Sequence, residues 1–305
     1  MTNILGSDRF VQTVPIDKGW SGDRKYCATD KAGKKYLLRI APIERYDRWK
    51  ALFDILEQVT ALGIPICRPV ELGLCENDSV YAPYSWVDGE DLRELLLSLP
   101  KKEQYGLGFK AGEFLKAMHT IPAPASQEDW GSRFNRKADN KLRQYHECGL
   151  RFEGDTHVIE YIERNRCLLA NRPQCFQHGD YHDGNIMISD GKLNIIDFGS
   201  YDFGDTWEEF NRIMLCAVNA PNFAVGRIHG YFGGNIPYEF FRLLAFYIAV
   251  NTVSGVTWIA PNYQHGMLLK SAVPSDFNFI MNLAKNVLVW FDDMKNPVPT
   301  WFFDL

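Results

Sequence analysis

Asp180, Asn185 and Asp197 place oxygen-bearing side chains at short intervals in residues 178–199, HGDYHDGNIMISDGKLNIIDFG. Asp180 precedes Asn185 by five residues, and Asp197 follows two short apolar runs, "IMI" and "LNIID". Those runs flank a Ser-Asp-Gly-Lys turn at 189–192, which predicts a β-hairpin. A hairpin returns its two ends to one edge, so Asn185 and Asp197 are expected side by side, with Asp180 on the loop leading in. An amide oxygen beside a carboxylate suits a hard divalent cation that keeps several waters and shares substrate phosphates, namely Mg²⁺. Asp180 is then left to accept a proton from an attacking hydroxyl. A plainer account makes Asp180, Asp183 and Asn185 turn residues by propensity. It explains each residue singly, but not their arrival in this order around a hairpin.

The elements that must position this segment can be read on either side of it. "RFVQTVPI", "RKYCAT" and "KYLLRI" are short β-rich runs separated by turn signals. Trp49, Leu52, Phe53, Leu56 and Val59 recur at helical spacing and stop near Gly63. "PVELGL" and "VYAPYSW" read as two further strands, after which the pattern turns mostly helical. The expected fold class is α+β: a small N-terminal lobe of antiparallel sheet with one helix, residues 1–85, a hinge at 86–92, and a larger helical lobe at 93–305.

The order His178, Asp180, Asn185, hairpin, Asp197-Phe198-Gly199 matches the general kinase pattern H-R-D-x-x-x-x-N followed by D-F-G, in spacing and in role. "HGDYHDGN" and "IIDFG" resemble the aminoglycoside phosphotransferase family, small-molecule kinases of protein-kinase-like fold, with Gly179 where protein kinases usually carry Arg. "GWSGDRKY", "GIPICRP", "SWVDGEDL" and "HTIPAP" extend the resemblance over nearly the whole chain. It implies a bilobal fold and transfer of the γ-phosphoryl of ATP or GTP to a hydroxyl. Asp180 becomes the catalytic base, and Asn185 and Asp197 the Mg²⁺ ligands. His182 stands where protein kinases often carry a phosphate-contacting Lys; a phosphate role and simple loop packing are both open.

On the nucleotide side, "KGWSGDRKY" lies between two predicted strands, and Gly19, Ser21 and Gly22 would let backbone N–H groups approach phosphate oxygens. Arg39 in "YLLRI" occupies the third-strand position where kinases place a Lys across the phosphates, and its planar fork can grip them in pairs. The Glu that family members carry on the following helix has no match: its register falls near Leu52 or Phe53, and Asp47, Asp54 and Glu57 are the nearest acids. By resemblance, the Ser85 carbonyl and the Val87 N–H are the candidates to read the base.

Between His178 and Phe210 there are eight acids against one lysine, Lys192. Such an excess would draw a cationic acceptor, with Asp202, Asp205, Glu208 and Glu209 as candidate contacts. Asp205, Glu208 and Glu209 also read as the acidic first turn of a helix. An aminoglycoside is the leading acceptor; a sugar, an amino-alcohol or a macrolide stays open, because fold does not fix substrate. A regulator that has lost catalysis is the rival from another class, supported only by the missing helix Glu. A protein kinase is disfavoured, since "YDFGDTWEEF" leaves no room for an activation loop and no A-P-E follows.

Bulk composition agrees with a cytoplasmic globular enzyme. The net charge of −5 carries no basic surplus for nucleic acid. Seven scattered cysteines without a C-x-x-C pair suggest reduced thiols. The Leu243–Leu269 run lacks Lys, Arg, Asp and Glu, but its Asn, Ser, Gly, Pro and His residues favour a buried core helix and loop over a membrane span.

Overall fold

The structure, a computed structural model, describes residues 9–17, 22–75, 78–259, 263–264, 267–268, 287 and 296–303. The chain divides into two compact units: Met1–Leu95 with Asp183–Tyr201, and Leu96–His182 with Asp202–Leu305.

The first unit is built on a five-stranded antiparallel sheet. Strands β1 (Phe10–Pro15), β2 (Arg24–Asp30), β3 (Lys35–Pro42), β4 (Gly73–Cys75) and β5 (Ser79–Ser85) run in the order β1-β2-β3-β5-β4. Alternation along β3 decides which side chains go where. Leu38 and Ile40 join Ala28, Cys75 and Tyr81 in a core cluster, while Arg39 takes the other face. Helix α1 (Tyr46–Ala61) buries Trp49, Leu52, Ile55, Leu56 and Val59, an apolar stripe at helical spacing. Phe53 of α1 meets Tyr84 of β5 edge to face, with ring centroids 5.6 Å apart.

A two-residue strand β6 (Glu90–Asp91) and helix α2 (Leu92–Leu96) follow β5. Much later the chain returns to this unit as the predicted hairpin, strands β8 (Ile186–Ser189) and β9 (Lys192–Ile195). β6 pairs with β8, and the 65–67 segment clasps β9 through Ile195 N–H to Pro65 O and Cys67 N–H to Ile195 O. Asp190 and Gly191 both have positive φ, 50° and 71°, as a tight two-residue hairpin turn demands.

The second unit is mainly helical: α3 (Lys101–Met118), α4 (Trp130–Glu147), α5 (Asp155–Asn165), α6 (Ile213–Ala217), α7 (Pro221–Phe232) and α8 (Tyr238–Ile259). A short ladder joins β7 (Gln174–Gln177) to β10 (Asp202–Asp205). Helix α8 is long and apolar enough to cross a membrane by length and composition. Leu243 to Val250 along it are nevertheless all buried among the helices, so it serves as the core helix expected from its polar interruptions.

α3 and α7 pack closest of all. A Cβ on Gly108 would collide with the carbonyl of Phe223, one on Gly112 with that of Arg227, one on Gly226 with that of Tyr105, and one on Gly230 with that of Phe109. Four glycines thus let two backbones touch. Gly112→Ala is expected to force the helices apart and cost about 1–3 kcal/mol of stability, the range for overpacking. Urea unfolding would register it; an unchanged midpoint would show that the contact is slack.

Candidate functional site

In the first unit, the edge of the hairpin joins the residues it was expected to join. Ile196 N–H donates to the Asn185 carbonyl at 3.0 Å, which sets Asn185 beside the start of Asp197. Asp197 adopts left-handed backbone, φ 59°, a conformation Asp tolerates better than most residues. Its carboxylate is 38% exposed and meets two cations. Arg39 Nη1 donates to Asp197 Oδ1 at 3.0 Å, and Lys25 Nζ lies 3.9 Å from Oδ2. Lys25 and Arg39 are directly opposed across the β2–β3 ladder, so they share one face of the sheet. Facing like charges repel; here two carboxylates compensate them.

The second carboxylate is Asp23, just ahead of β2. Arg39 Nη2 and Nε both donate to Asp23 Oδ2, at 2.5 and 3.1 Å. The partner of Arg39 therefore comes from the first hairpin and not from α1. Leu52, at the register where a helix Glu was sought, is core, and Asp47, Asp54 and Glu57 are exposed. The helix offers Arg39 only the ring of Trp49, 5.9 Å from the guanidinium carbon. No motif in the sequence singles out Lys25 or Asp23, although pairing the β2 and β3 runs across their turn sets Lys25 opposite Arg39.

An amide oxygen at 185 and a carboxylate at 197 are hard donors. They fit a divalent cation that takes its other ligands from phosphates and water. Among the described residues no group of three or more His, Cys, Asp or Glu is placed to hold a metal ion. Asp183 is held elsewhere: it is buried and accepts from Arg93 Nη2 at 2.9 Å and from the Gly184 N–H at 3.0 Å.

Ser85 ends β5 with its Oγ accepting the Arg68 N–H at 2.8 Å and its own N–H donating to Arg68 O. Val87 follows, half-buried. Gly22 stands in open space, with nothing near where a Cβ would point. Gly19 and Ser21 lie outside the described residues.

In the second unit, Asp180 keeps about a third of its carboxylate exposed. Arg212 Nε lies 3.2 Å from Oδ1 and His182 Nε2 3.5 Å from Oδ2. Burial works against the charge of Asp180, yet His182, Arg212 and His178 outweigh it and hold the carboxyl well below the ordinary range. The peptides on either side are fixed. Gly179 N–H donates to both oxygens of Glu209, at 3.0 and 3.2 Å. Fully buried Arg227 of α7 donates through Nη1 to Tyr181 O at 2.8 Å, and Tyr181 OH donates to Ala111 O of α3 at 2.8 Å.

The acidic strip is largely consumed by the fold. Asp205 is buried, with Arg172 donating Nε and Nη2 at 2.9 and 3.0 Å and Tyr247 OH at 2.6 Å. Glu208 faces Lys137 at 3.3 Å and Gln177 at 3.1 Å, and Glu209 is the buried acceptor of Gly179 N–H. These three are among the four candidate acceptor contacts, and each already has the internal partners named here. Only Asp202 keeps about half its carboxylate exposed, paired with Arg133 Nη1 at 2.9 and 3.0 Å.

A model of the phosphotransferase enzyme family matches residues 12–244. No curated protein matches the chain by sequence. Among solved structures, the aminoglycoside phosphotransferase APH(4)-Ia is 15% identical, with a TM-score of 0.66, covering 92% of this chain and 94% of that one. The amicoumacin kinase hAmiN, solved with AMP-PNP and Ca²⁺, is 13% identical over 98% and 92%, with a TM-score of 0.64. The spectinomycin phosphotransferase APH(9)-Ia, solved with ADP and spectinomycin, is 14% identical over 91% and 93%, with a TM-score of 0.61. At such identities the likeness establishes the fold, which is the α+β, bilobal, protein-kinase-like one expected.

Burial, and then the charge of Glu208, push the Glu209 carboxyl from 4.5 up to about 7, against the Gly179 and Tyr181 N–H groups and Arg227. Between those pH values the folded chain holds a proton that the unfolded chain has released. The resulting stability is complete below the lower value and is lost as pH climbs through the upper one. Glu209→Gln removes this titration. Urea unfolding from about pH 5 to about pH 8 should show the wild type losing up to about 3 kcal/mol relative to the variant. Parallel curves would show that Glu209 does not titrate in this range.

Proposed function

The chain belongs to the phosphotransferase enzyme family, and on that premise we propose that it is a small-molecule O-phosphotransferase, moving the γ-phosphoryl of ATP or GTP to an acceptor hydroxyl in the cytoplasm. The observation that carries the reading is Asp180, a part-exposed carboxylate held ionised on a loop whose flanking peptides are both fixed. A base kept in one place needs no reorganisation when the hydroxyl arrives. The ADP and AMP-PNP bound in the solved relatives support the nucleotide co-substrate.

In this reading Asp180 takes the acceptor proton as the hydroxyl oxygen bonds to the γ-phosphorus and the β,γ-bridging bond breaks, releasing the nucleoside diphosphate. Arg39 and Lys25 meet phosphate oxygens, and His182 is available to do so. Asn185 and Asp197 would hold Mg²⁺, which supplies charge neutralisation at the phosphates. Gly19, Ser21 and Gly22 would let the loop backbone approach the phosphates, while the Ser85 carbonyl and Val87 N–H would receive the base.

An aminoglycoside is the first acceptor to test, with Asp202 the member of the acidic strip still presented to solvent. The internal pairing of Asp205, Glu208 and Glu209 weakens the attraction for polycations. It brings a sugar, an amino-alcohol or a macrolide nearer to equal standing. An inactive regulator loses its support, since Arg39 has a carboxylate partner after all.

ADP or GDP release with Mg²⁺, across kanamycin- and neomycin-type compounds, a sugar, an amino-alcohol and a macrolide, tests the proposal. Acceptor-dependent turnover is expected, with kcat falling about 10²–10⁴-fold in Asp180→Asn, the range for losing a general base. Turnover that survives this substitution unchanged would remove Asp180 as the base.

A further inference from the structure

Arg39 cannot depend on Asp197 alone for its orientation. On the reading above, Asp197 is needed by the cation once nucleotide binds, and an Arg that lost its sole partner then would be free to turn away. In the kinase pattern a helix glutamate prevents this. Here α1 turns Leu52 into the core and keeps its acids in solvent. Its neighbouring polar residue, Arg48, is tied instead to the segment after Asp197: Nη2 donates to Tyr201 O at 2.7 Å, and Tyr201 OH donates back to Arg48 O at 3.1 Å.

Asp23 satisfies the missing requirement from another direction. It grips Arg39 through two nitrogens, leaving Nη1 for Asp197. Both side chains are under 10% exposed, so the pair is shielded from solvent and salt. An Arg fork held at Nε and Nη2 keeps one fixed plane. The remaining Nη1 edge is then the one that can pass from carboxylate to phosphate without the guanidinium swinging.

We propose that Asp23 is the positioning residue for Arg39, doing from the first hairpin what a helix glutamate does elsewhere, and that Arg39 exchanges Asp197 for a nucleotide phosphate while Asp23 holds it in place. The inference rests on the nucleotide-binding reading above. It adds that phosphate affinity in this chain is wired to the strand-side turn and is indifferent to the acids of α1.

Calorimetric titration with Mg-ADP and Mg-AMP-PNP tests this on the full chain. Asp23→Asn, nearly isosteric, is expected to weaken both by about 10-fold or more, which is about 1.4 kcal/mol. Asp23→Glu, which keeps the charge, should restore most of the affinity, and Asp54→Asn on α1 should leave it within two-fold. Melting temperatures of the variants, measured alongside, keep all titrations on folded protein. Affinity in Asp23→Asn within two-fold of the wild type would overturn the proposal, as would an equal loss in Asp54→Asn. Should Asp23→Asn not fold, Asp23→Glu decides, because a charge-dependent anchor keeps nucleotide within about three-fold and a purely steric one does not. Wild-type protein that binds neither nucleotide would instead overturn the reading on which this rests.

Discussion

Two cations on one face of the first sheet, Lys25 and Arg39, are the constraint around which that unit is organised. Neither could remain there uncompensated, because a charge withdrawn from water costs several kcal/mol unless it is paired. The chain supplies Asp23 from the approach to β2 and Asp197 from the far end of a hairpin. The result is a neutral set of four charges in which one member, Asp197, is appreciably exposed. An anion that entered would find cations already aligned, and a divalent ion would find a carboxylate already at the surface. On the reading proposed above, the pairing that stabilises these four charges would also align them for a phosphate and its cation.

The second unit solves a different problem, that of keeping a loop still. Gly179 N–H and Tyr181 O are held by groups of opposite character, the buried Glu209 carboxylate and the buried Arg227 guanidinium. Arg227 reaches Tyr181 because α7 lies against α3 at glycine-to-backbone distance. Its guanidinium is flanked by the rings of Tyr181 and Phe210, 5.6 and 5.2 Å from the central carbon. Nε and Nη2 have no hydrogen-bond partner among the described residues. The aromatic faces of Tyr181 and Phe210 offset part of the cost of this burial. A polar group kept at such cost beside Asp180 argues that rigidity there matters more than stability gained elsewhere.

What could be read from the sequence was local. The 178–199 hairpin followed from an Asp-Gly turn between apolar runs, and Asp190 and Gly191 adopt the backbone that turn requires. Arg39 could be singled out by its place in the third strand. What could not be read were partners brought from afar. Asp205, Glu208 and Asp202 look like an unopposed acidic strip only because Arg172, Lys137 and Arg133 stand 33, 71 and 69 residues away. Counting charge along a chain cannot see pairs made across a fold. Glu209 is hidden for a related reason: its type gives no sign that the Gly179 N–H, two residues past the end of β7, takes it as a buried acceptor.

The first unit is also discontinuous in sequence, since Asp183–Tyr201 completes what Met1–Leu95 begins. During synthesis the five-stranded sheet emerges from the ribosome long before the hairpin that carries Asp197. For that interval Arg39 has Asp23 but no second carboxylate, and β9 has not yet reached the 65–67 segment that clasps it. Closing so long a loop carries an entropic cost that grows only slowly with its length. A native first unit nevertheless awaits translation through residue 201, and the nascent chain carries an excess of positive charge on that sheet face until the hairpin arrives.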